Sequence, residues 1–335
     1  MIKDILNYSL LNHNTFGIDA RCHRFLEFSS AAEAQQVASV LTSGSTPYII
    51  IGGGSNLLLT RDYTGIVVHS AIKGVTPMYD GRLRCGSGEV WDDVVAYCVE
   101  HGLYGAENLS IIPGDVGASA VQNIGAYGVE VNEFIETVEA IDISSGRAVS
   151  FGREECRYSY RNSRFKGEWR NRYLITYVTY HFRPQYNPHI DYGNIRAELD
   201  KRGIKNPTPV QLRQCIIDIR NAKLPDYHVE GNAGSFFVNP IVNAEKFNEL
   251  KSRYPDMPHY IIDDDHIKIP AGWMIEECGW KGKTVGHAGV HDKQALVLVN
   301  RGGATGAEIV HLMQMIQKDV LDTFGIAIHP EVNVV

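Results

Sequence analysis

Residues 111–128 constrain this chain more than any other stretch: Ile-Ile-Pro-Gly-Asp-Val-Gly-Ala-Ser-Ala-Val-Gln-Asn-Ile-Gly-Ala-Tyr-Gly. Small residues bracketed by glycines let a backbone rich in N–H donors wrap a pyrophosphate or a planar ring at close range. Gln122 and Asn123 add amide groups to that surface. An ordinary loop of small residues is the alternative, and the length and uniformity of the run argue against it. Gly117-Ala118-Ser119-Ala120 suggests the G-x-S-x-G nucleophile elbow, but Val121 stands where the last glycine belongs and the motif fails.

A second glycine cluster, Gly52-Gly53-Gly54-Ser55-Asn56-Leu57, follows the apolar strand pattern Tyr48–Ile51. Successive glycines there expose N–H groups to a phosphate, with Ser55 and Asn56 as side-chain donors. No Gly-Lys-Ser/Thr follows, so it is not a P-loop, and Leu57 replaces the third glycine of a dinucleotide fingerprint. A tight surface turn accounts for this cluster equally well. Tyr160-Arg161-Asn162-Ser163-Arg164-Phe165-Lys166 concentrates cations that suit a phosphate or a developing oxyanion, although such runs are more often solvated loops. Arg220-Asn221-Ala222-Lys223-Leu224-Pro225 precedes Gly231-Asn232-Ala233-Gly234-Ser235-Phe236-Phe237-Val238-Asn239-Pro240. No histidine is set beside Ser235, so an acyl-enzyme has no local support, and a turn entering a strand is an equal reading. Glu331 sits in an apolar segment; it is either an exposed or ion-paired edge residue, or a buried acid that keeps its proton and can donate it.

The patterning around these segments is that of an α+β chain in three modules, residues 1–69, 70–207 and 208–335. Ser30-Ala31-Ala32-Glu33 predicts a capped helix ending near Gly44, with strands at 48–51 and 66–68. Residues 90–101 predict a helix, and 138–143 and 174–182 predict strands, with Leu174, Thr176, Val178, Tyr180 and Phe182 on one face. Thr208-Pro209-Val210-Gln211 and Thr305-Gly306-Ala307-Glu308 read as capping boxes, the helices ending before Pro225 and Gly325. Helices at about 244–253 and 271–278 and a closing strand that contains 328–332 complete the pattern.

Length bounds the count at two or three domains, at roughly 100–200 residues each. A net charge of -7 disfavours general nucleic-acid binding. Cys22, Cys85, Cys98, Cys156, Cys215 and Cys278 form no C-x-x-C pair and no zinc spacing, so buried thiols and no metal are expected. No signal-peptide pattern and no membrane-length apolar run is present, which predicts a cytoplasmic protein without membrane contact.

Taken in order, Asn14-Thr15-Phe16-Gly17, residues 52–56, residues 113–128, Tyr160-Arg161-Asn162-Ser163, residues 231–237, Ala271-Gly272-Trp273 and His329-Pro330-Glu331-Val332 resemble the UDP-N-acetylenolpyruvoylglucosamine reductases of bacterial cell-wall synthesis. The resemblance spans nearly the whole chain. It implies a vanillyl-alcohol-oxidase-type FAD-binding domain of two α+β subdomains, followed by a C-terminal α+β substrate domain whose last strand returns to the flavin. Asp191-Tyr192-Gly193-Asn194 is similar to the tyrosine loop of the longer subtype.

The resemblance further implies non-covalent FAD, NADPH as co-substrate, a UDP-sugar as substrate and a monomer. Hydride passes from flavin N5 to C3 of the enolpyruvyl group. Arg161 binds the carboxylate, Ser235 protonates C2, and Glu331 assists as a protonated donor. Gly52, Gly53, Gly54, Ser55, Asn56, Ile112, Pro113, Gly114, Gly117, Ala118, Gln122, Asn123, Gly125 and Arg220 are assigned to FAD. Tyr192, Lys223, Asn239 and Gln294 are assigned to the substrate. Asn162 stands where the family often has Asp, and positions 115 and 118–120 vary; neither departure touches the proton-handling residues. The rivals are a related FAD-dependent carbohydrate oxidase and a non-catalytic UDP-sugar or flavin binding protein.

Overall fold

The computed structural model describes residues 1–335 and divides into two compact units. Unit 1 comprises Met1–Tyr8, Cys22–Gly53 and Tyr63–Ala222; unit 2 comprises Ser9–Arg21, Gly54–Asp62 and Lys223–Val335. This division differs from the linear one expected above. The helix Pro209–Lys223, expected to open the third module, belongs to unit 1 as far as Ala222, because its apolar face of Leu212, Cys215, Ile216 and Ile219 is buried with Ile190, Ile195 and Leu199.

In unit 1, Ser30 Oγ accepts from Glu33 N at 3.2 Å and starts the helix Ala31–Thr42. The Glu33 carboxylate turns to the N and Oγ of Ser29, so only half of the expected capping box forms. This helix buries Ala34, Val37, Ala38 and Leu41 with Leu26, Phe28, Ile66 and Val68 of a sheet ordered Lys3–Ser9, Arg21–Phe28, Tyr63–Ser70, Tyr48–Ile51. The last three strands run parallel. A second sheet, antiparallel throughout, is ordered Ala148–Gly152, Ile135–Asp142, Tyr173–His181, Arg82–Gly86, Val75–Pro77.

The strand Tyr173–His181 departs from the expected single-face alternation. Leu174 packs with the helix Ala31–Thr42, whereas Val178, Tyr180 and Phe182 join the core of the helix Trp91–Glu100. The register slips between the pairs Glu139↔Tyr177 and Ala140↔Ile175, leaving Thr176 as an extra residue. One extra residue reverses which side chains point to which face.

In unit 2, an antiparallel sheet ordered Gly231–Ser235, Val297–Asn300, Ala288–Val290, Thr284–Val285 packs with the helix Gly306–Phe324. That helix buries Ile309, Leu312, Ile316, Val320 and Phe324 at three- to four-residue spacing, which is one helical face. Its capping box closes through Thr305 and Glu308, and Gly325 ends it at φ 64°. The closing strand lies further on than expected. Asn333–Val334 pairs with Leu57–Leu58, while residues 328–332 form only the bridge Phe237↔Pro330.

All six cysteines are free thiols and five are buried. Burial, with the Glu89 charge adding to it, pushes the Cys85 thiol up to about 12. No helix is long and apolar enough to cross a membrane.

Candidate active site

The site residues expected from the sequence fall into two groups, one in each unit. Unit 1 holds Gly52, Gly53, residues 112–125, Arg161, Tyr192 and Arg220; unit 2 holds Gly54, Ser55, Asn56, Lys223, Ser235, Asn239, Gln294 and Glu331.

In unit 1 the glycine-rich run is docked on the segment before the helix Trp91–Glu100. Gly117 N donates to Ser87 O and Val116 N to Glu89 O, both at 2.8 Å. A Cβ on Gly117 would lie 3.0 Å from Ser87 Cβ, so any side chain there would have to push Ser87 aside. Asp92 accepts Ile111 N at 2.6 Å and a two-pronged ion pair from Arg213, fixing the start of the run. A short helix, Val116–Gln122, then ends at Asn123 in the left-handed region, φ 46°. The Asn123 side chain is wholly consumed in the protein: it donates to Glu130 and Ser159 O and accepts from Asn132 N and Nδ2. Asn123 is fully buried, so its assigned contribution to the cofactor is confined to loop shape and backbone. Ser119, the serine of the failed elbow motif, is likewise buried, with its hydroxyl on Val116 O and Tyr180 OH.

Arg161 occupies the tip of a tight turn closed by reciprocal Ser159 and Asn162 backbone hydrogen bonds, both 3.0 Å. Its φ of 53° is a conformation that costs a side-chain-bearing residue roughly 1–2 kcal/mol. The guanidinium donates to Gly125 O and lies against Gly125, where a Cβ would fall 3.0 Å from Nη1. Lys166 Nζ holds the Arg161 carbonyl at 2.9 Å. Strain kept at an arginine, with that side chain anchored, is the pattern of a functional constraint.

Five buried side-chain atoms find no hydrogen-bond partner in the protein, and two belong to residues assigned to FAD: Gln122 Oε1 and Arg220 Nε. Burial lowers the proton affinity of the Arg220 guanidinium, Tyr127 opposing this and the Arg161 charge adding to it. Arginine stays a cation at neutral pH all the same. A buried unpaired acceptor and a buried unpaired donor each call for a ligand with the complementary group. These two orphaned groups fit a planar, polar-edged cofactor.

In unit 2, Gly54 has φ 70°, and a Cβ there would lie 2.0 Å from His13 O. Its carbonyl accepts from Thr15 N, and Thr15 Oγ1 donates to Asn232 O at 2.6 Å. Asn232 in turn accepts Gly234 N at 3.0 Å, and the pairing with Val297–Asn300 slips between Asn232 and Ser235. That bulge leaves Ser235 exposed while Phe236 and Phe237 are buried. Glu331 N donates to Phe236 O at 2.8 Å, which sets Glu331, half-buried, beside the residue that follows Ser235. Asn56 fastens the same segment: its Nδ2 donates to Glu331 O at 3.3 Å and its carbonyl accepts from Asn333. Asn239 Oδ1 accepts Ala271 N at 2.9 Å, leaving its Nδ2 as the donor, and Gln294 Oε1 accepts Leu296 N at 3.3 Å. Lys223 is exposed at the end of its helix.

Two family matches divide the chain. Residues 23–152 match the FAD binding domain, and residues 225–335 match the C-terminal domain of UDP-N-acetylenolpyruvoylglucosamine reductase. A UDP-N-acetylenolpyruvoylglucosamine reductase of Bacteroides fragilis (strain YCH46) is 53% identical over 332 residues, covering 97% of this chain and 98% of that protein. The chain belongs to the UDP-N-acetylenolpyruvoylglucosamine reductase family. A member of that family from Porphyromonas gingivalis (strain ATCC 33277) is 47% identical over 331 residues, with 98% of each chain covered. The crystal structure of UDP-N-acetylenolpyruvylglucosamine reductase from Thermus caldophilus shares the fold, with a TM-score of 0.69 at 21% identity over 100% of this chain and 98% of that one. The α+β class and the flavin-binding architecture expected from the sequence therefore hold.

For a member of this reductase family, the sequence left one feature of the cradle unseen. Asp115 lies against the glycine loop: Cβ atoms on Gly52 and Gly53 would fall 3.4 and 3.2 Å from its carboxylate oxygens. His69 stands behind it, Nε2 at 3.6 Å from Asp115 and Nδ1 at 2.9 Å from Glu27. Burial lowers the His69 proton affinity, but hydrogen bonds and charge from Asp115 and Glu27 outweigh it and leave the pKa above 6.5. A raised folded-state pKa contributes stability that is complete below the unfolded value and is lost as pH rises through the folded one. We expect the parent's advantage in Tm over His69→Gln to shrink as pH rises from about 6 to 9. An advantage that grows over this range would contradict the assignment.

Proposed function

We propose that this chain reduces UDP-N-acetylglucosamine enolpyruvate to UDP-N-acetylmuramate, with NADPH as reductant and non-covalent FAD, in peptidoglycan precursor synthesis. It does so as a cytoplasmic monomer. The observation that carries this reading is the backbone hydrogen bond that sets Glu331 beside the Ser235–Phe236 strand end in a member of this family. FAD, when bound, supplies hydride to C3 of the enolpyruvyl group and is replenished from NADPH.

The remaining work falls to side chains. Charge builds at C2 and spreads into the substrate carboxylate, which Arg161 binds. The Ser235 hydroxyl delivers its proton to C2. Serine is a weak acid, but the carbanion is a far stronger base, so transfer runs downhill without a histidine partner. Glu331 assists as a protonated donor, giving a hydrogen bond to the developing enolate. Lys223 and the Asn239 Nδ2 take the diphosphate, Gln294 adds a further contact, and Tyr192 covers the substrate.

The purified protein should take up FAD, bleach in the visible region on addition of NADPH, and recover its colour when the enolpyruvyl UDP-sugar is added, with UDP-N-acetylmuramate formed in equal amount. A colourless protein that takes up no FAD would overturn the reading.

A further inference from the structure

Tyr192 sits on a strap that leaves the second sheet at the bridge Tyr104↔Arg183 and ends in the helix Ile195–Lys201. Apolar anchors hold its far end, with Ile190 and Ile195 buried against Leu212 and Ile216. Between these ends one buried amide grips it. Asn108, 1% exposed, donates both N–H bonds of its side chain, to His189 O at 2.8 Å and to Tyr127 O at 3.0 Å. Tyr127 belongs to the glycine-rich run, so a single side chain ties that run to the strap.

A second observation meets the first at the next residue. Gly128 has φ 81°, and a Cβ there would fall 2.7 Å from His189 Cε1 and 3.1 Å from Tyr192 Cδ2. The strap therefore rests directly on Gly128, with no room for a methyl group. Glu107, the residue before Asn108, behaves differently: its Oε1 is buried without a partner, as is the Tyr186 hydroxyl in the strap's other limb. Asn108 is the satisfied fixed point, and the arm around Tyr186 is held by its ring contact with Tyr104 at 5.3 Å.

We propose that Asn108 is a positioning residue for the substrate: by holding His189 O against Tyr127 O it sets where Tyr192 stands over the bound UDP-sugar. This rests on the reading of Tyr192 as the cover of that substrate. Asn108 itself touches neither the substrate nor the reacting atoms.

A double-mutant cycle on KM for the enolpyruvyl UDP-sugar tests it, using the FAD-loaded enzyme and the variants Asn108→Asp, Tyr192→Ala and both together. Asp keeps the shape of Asn but replaces the NH2 group, donor of both bonds, by one carboxylate oxygen facing two carbonyls. Asn108→Asp is expected to raise KM roughly tenfold or more, with kcat changed less. On top of Tyr192→Ala it should add less than about twofold, because the group it positions is gone. Lowering the pH toward the carboxylic acid range should return a donor and bring KM of the single variant back toward the parent, but not that of the double variant. Full multiplication of the two effects, or an unchanged KM in Asn108→Asp, overturns the proposal while leaving Tyr192 in its role. An unchanged KM in Tyr192→Ala sinks the reading of Tyr192 itself. Should Asn108→Asp not fold, Gly128→Ala displaces the strap from the other side and is read in the same cycle with the same criteria.

Discussion

Ser235→Ala is expected to yield a protein that still binds FAD and is still reduced by NADPH, while reoxidation by the enolpyruvyl UDP-sugar slows by about 10²–10⁴, the usual worth of a positioned proton donor. The split follows from where the residue sits. The bulge after Asn232 exposes Ser235, while the backbone around it is held by Thr15, Asn232 and Leu296 through bonds that do not involve the Ser235 side chain. Removing one exposed hydroxyl should leave Tm nearly unchanged. Single-turnover absorbance traces of the two half-reactions measure the split directly. Equal slowing of both half-reactions, or none, would remove Ser235 from the proton-donor role.

Arg161→Gly is the second large effect, and it separates function from stability. Arg161 holds φ 53° in a turn where glycine is at ease. The substitution relieves that strain and gives up an anchored guanidinium, so the net change in stability should stay within about 1 kcal/mol. Turnover should nevertheless fall by roughly 10²–10³, because the charge that stabilises the developing dianion is gone. Thermal melts together with kcat/KM check this. A variant that melts far below the parent would show the arginine to be structural, and one that keeps its turnover would deny it the carboxylate.

The parts of this molecule that could be read along the chain are those set by local chemistry. The capping box at Thr208-Pro209-Val210-Gln211 closes as expected, Gln211 Oε1 accepting Thr208 N and Thr208 Oγ1 accepting Gln211 N. The glycine-rich run at 111–128 marked places with little room for a side chain, and at Gly117 and Gly125 the crowding is against Ser87, Val129 and Arg161 of the protein itself. What failed depended on distant partners. Nothing near Thr176 signals the bulge that sends Leu174 to the opposite face from Val178, because the bulge exists only against Ile135–Asp142. The strand expected to contain 328–332 is reduced there to one bridge, held by Val238 N on His329 O and Glu331 N on Phe236 O, because its partner segment 236–238 is only that long.

The candidate site shows the same division. Gln122, Arg220, Ser235 and Glu331 carried their chemistry in their residue types and in the family resemblance. Asn123 was expected to face the cofactor, yet its amide is spent on Glu130, Asn132 and Ser159, an inward network that no local pattern discloses. Asn108 and the pair His69 and Asp115 passed unnoticed for the same reason: each acts on a backbone or side chain far along the sequence.

The measurement that bears most directly on the account is stopped-flow reoxidation of the NADPH-reduced protein, mixed in parallel with the enolpyruvyl UDP-sugar and with oxygen. Fast reoxidation by the UDP-sugar, with UDP-N-acetylmuramate as product, and slow reoxidation by oxygen are expected. Fast turnover with oxygen and none with the enolpyruvyl ether would contradict it and point to a carbohydrate oxidase instead.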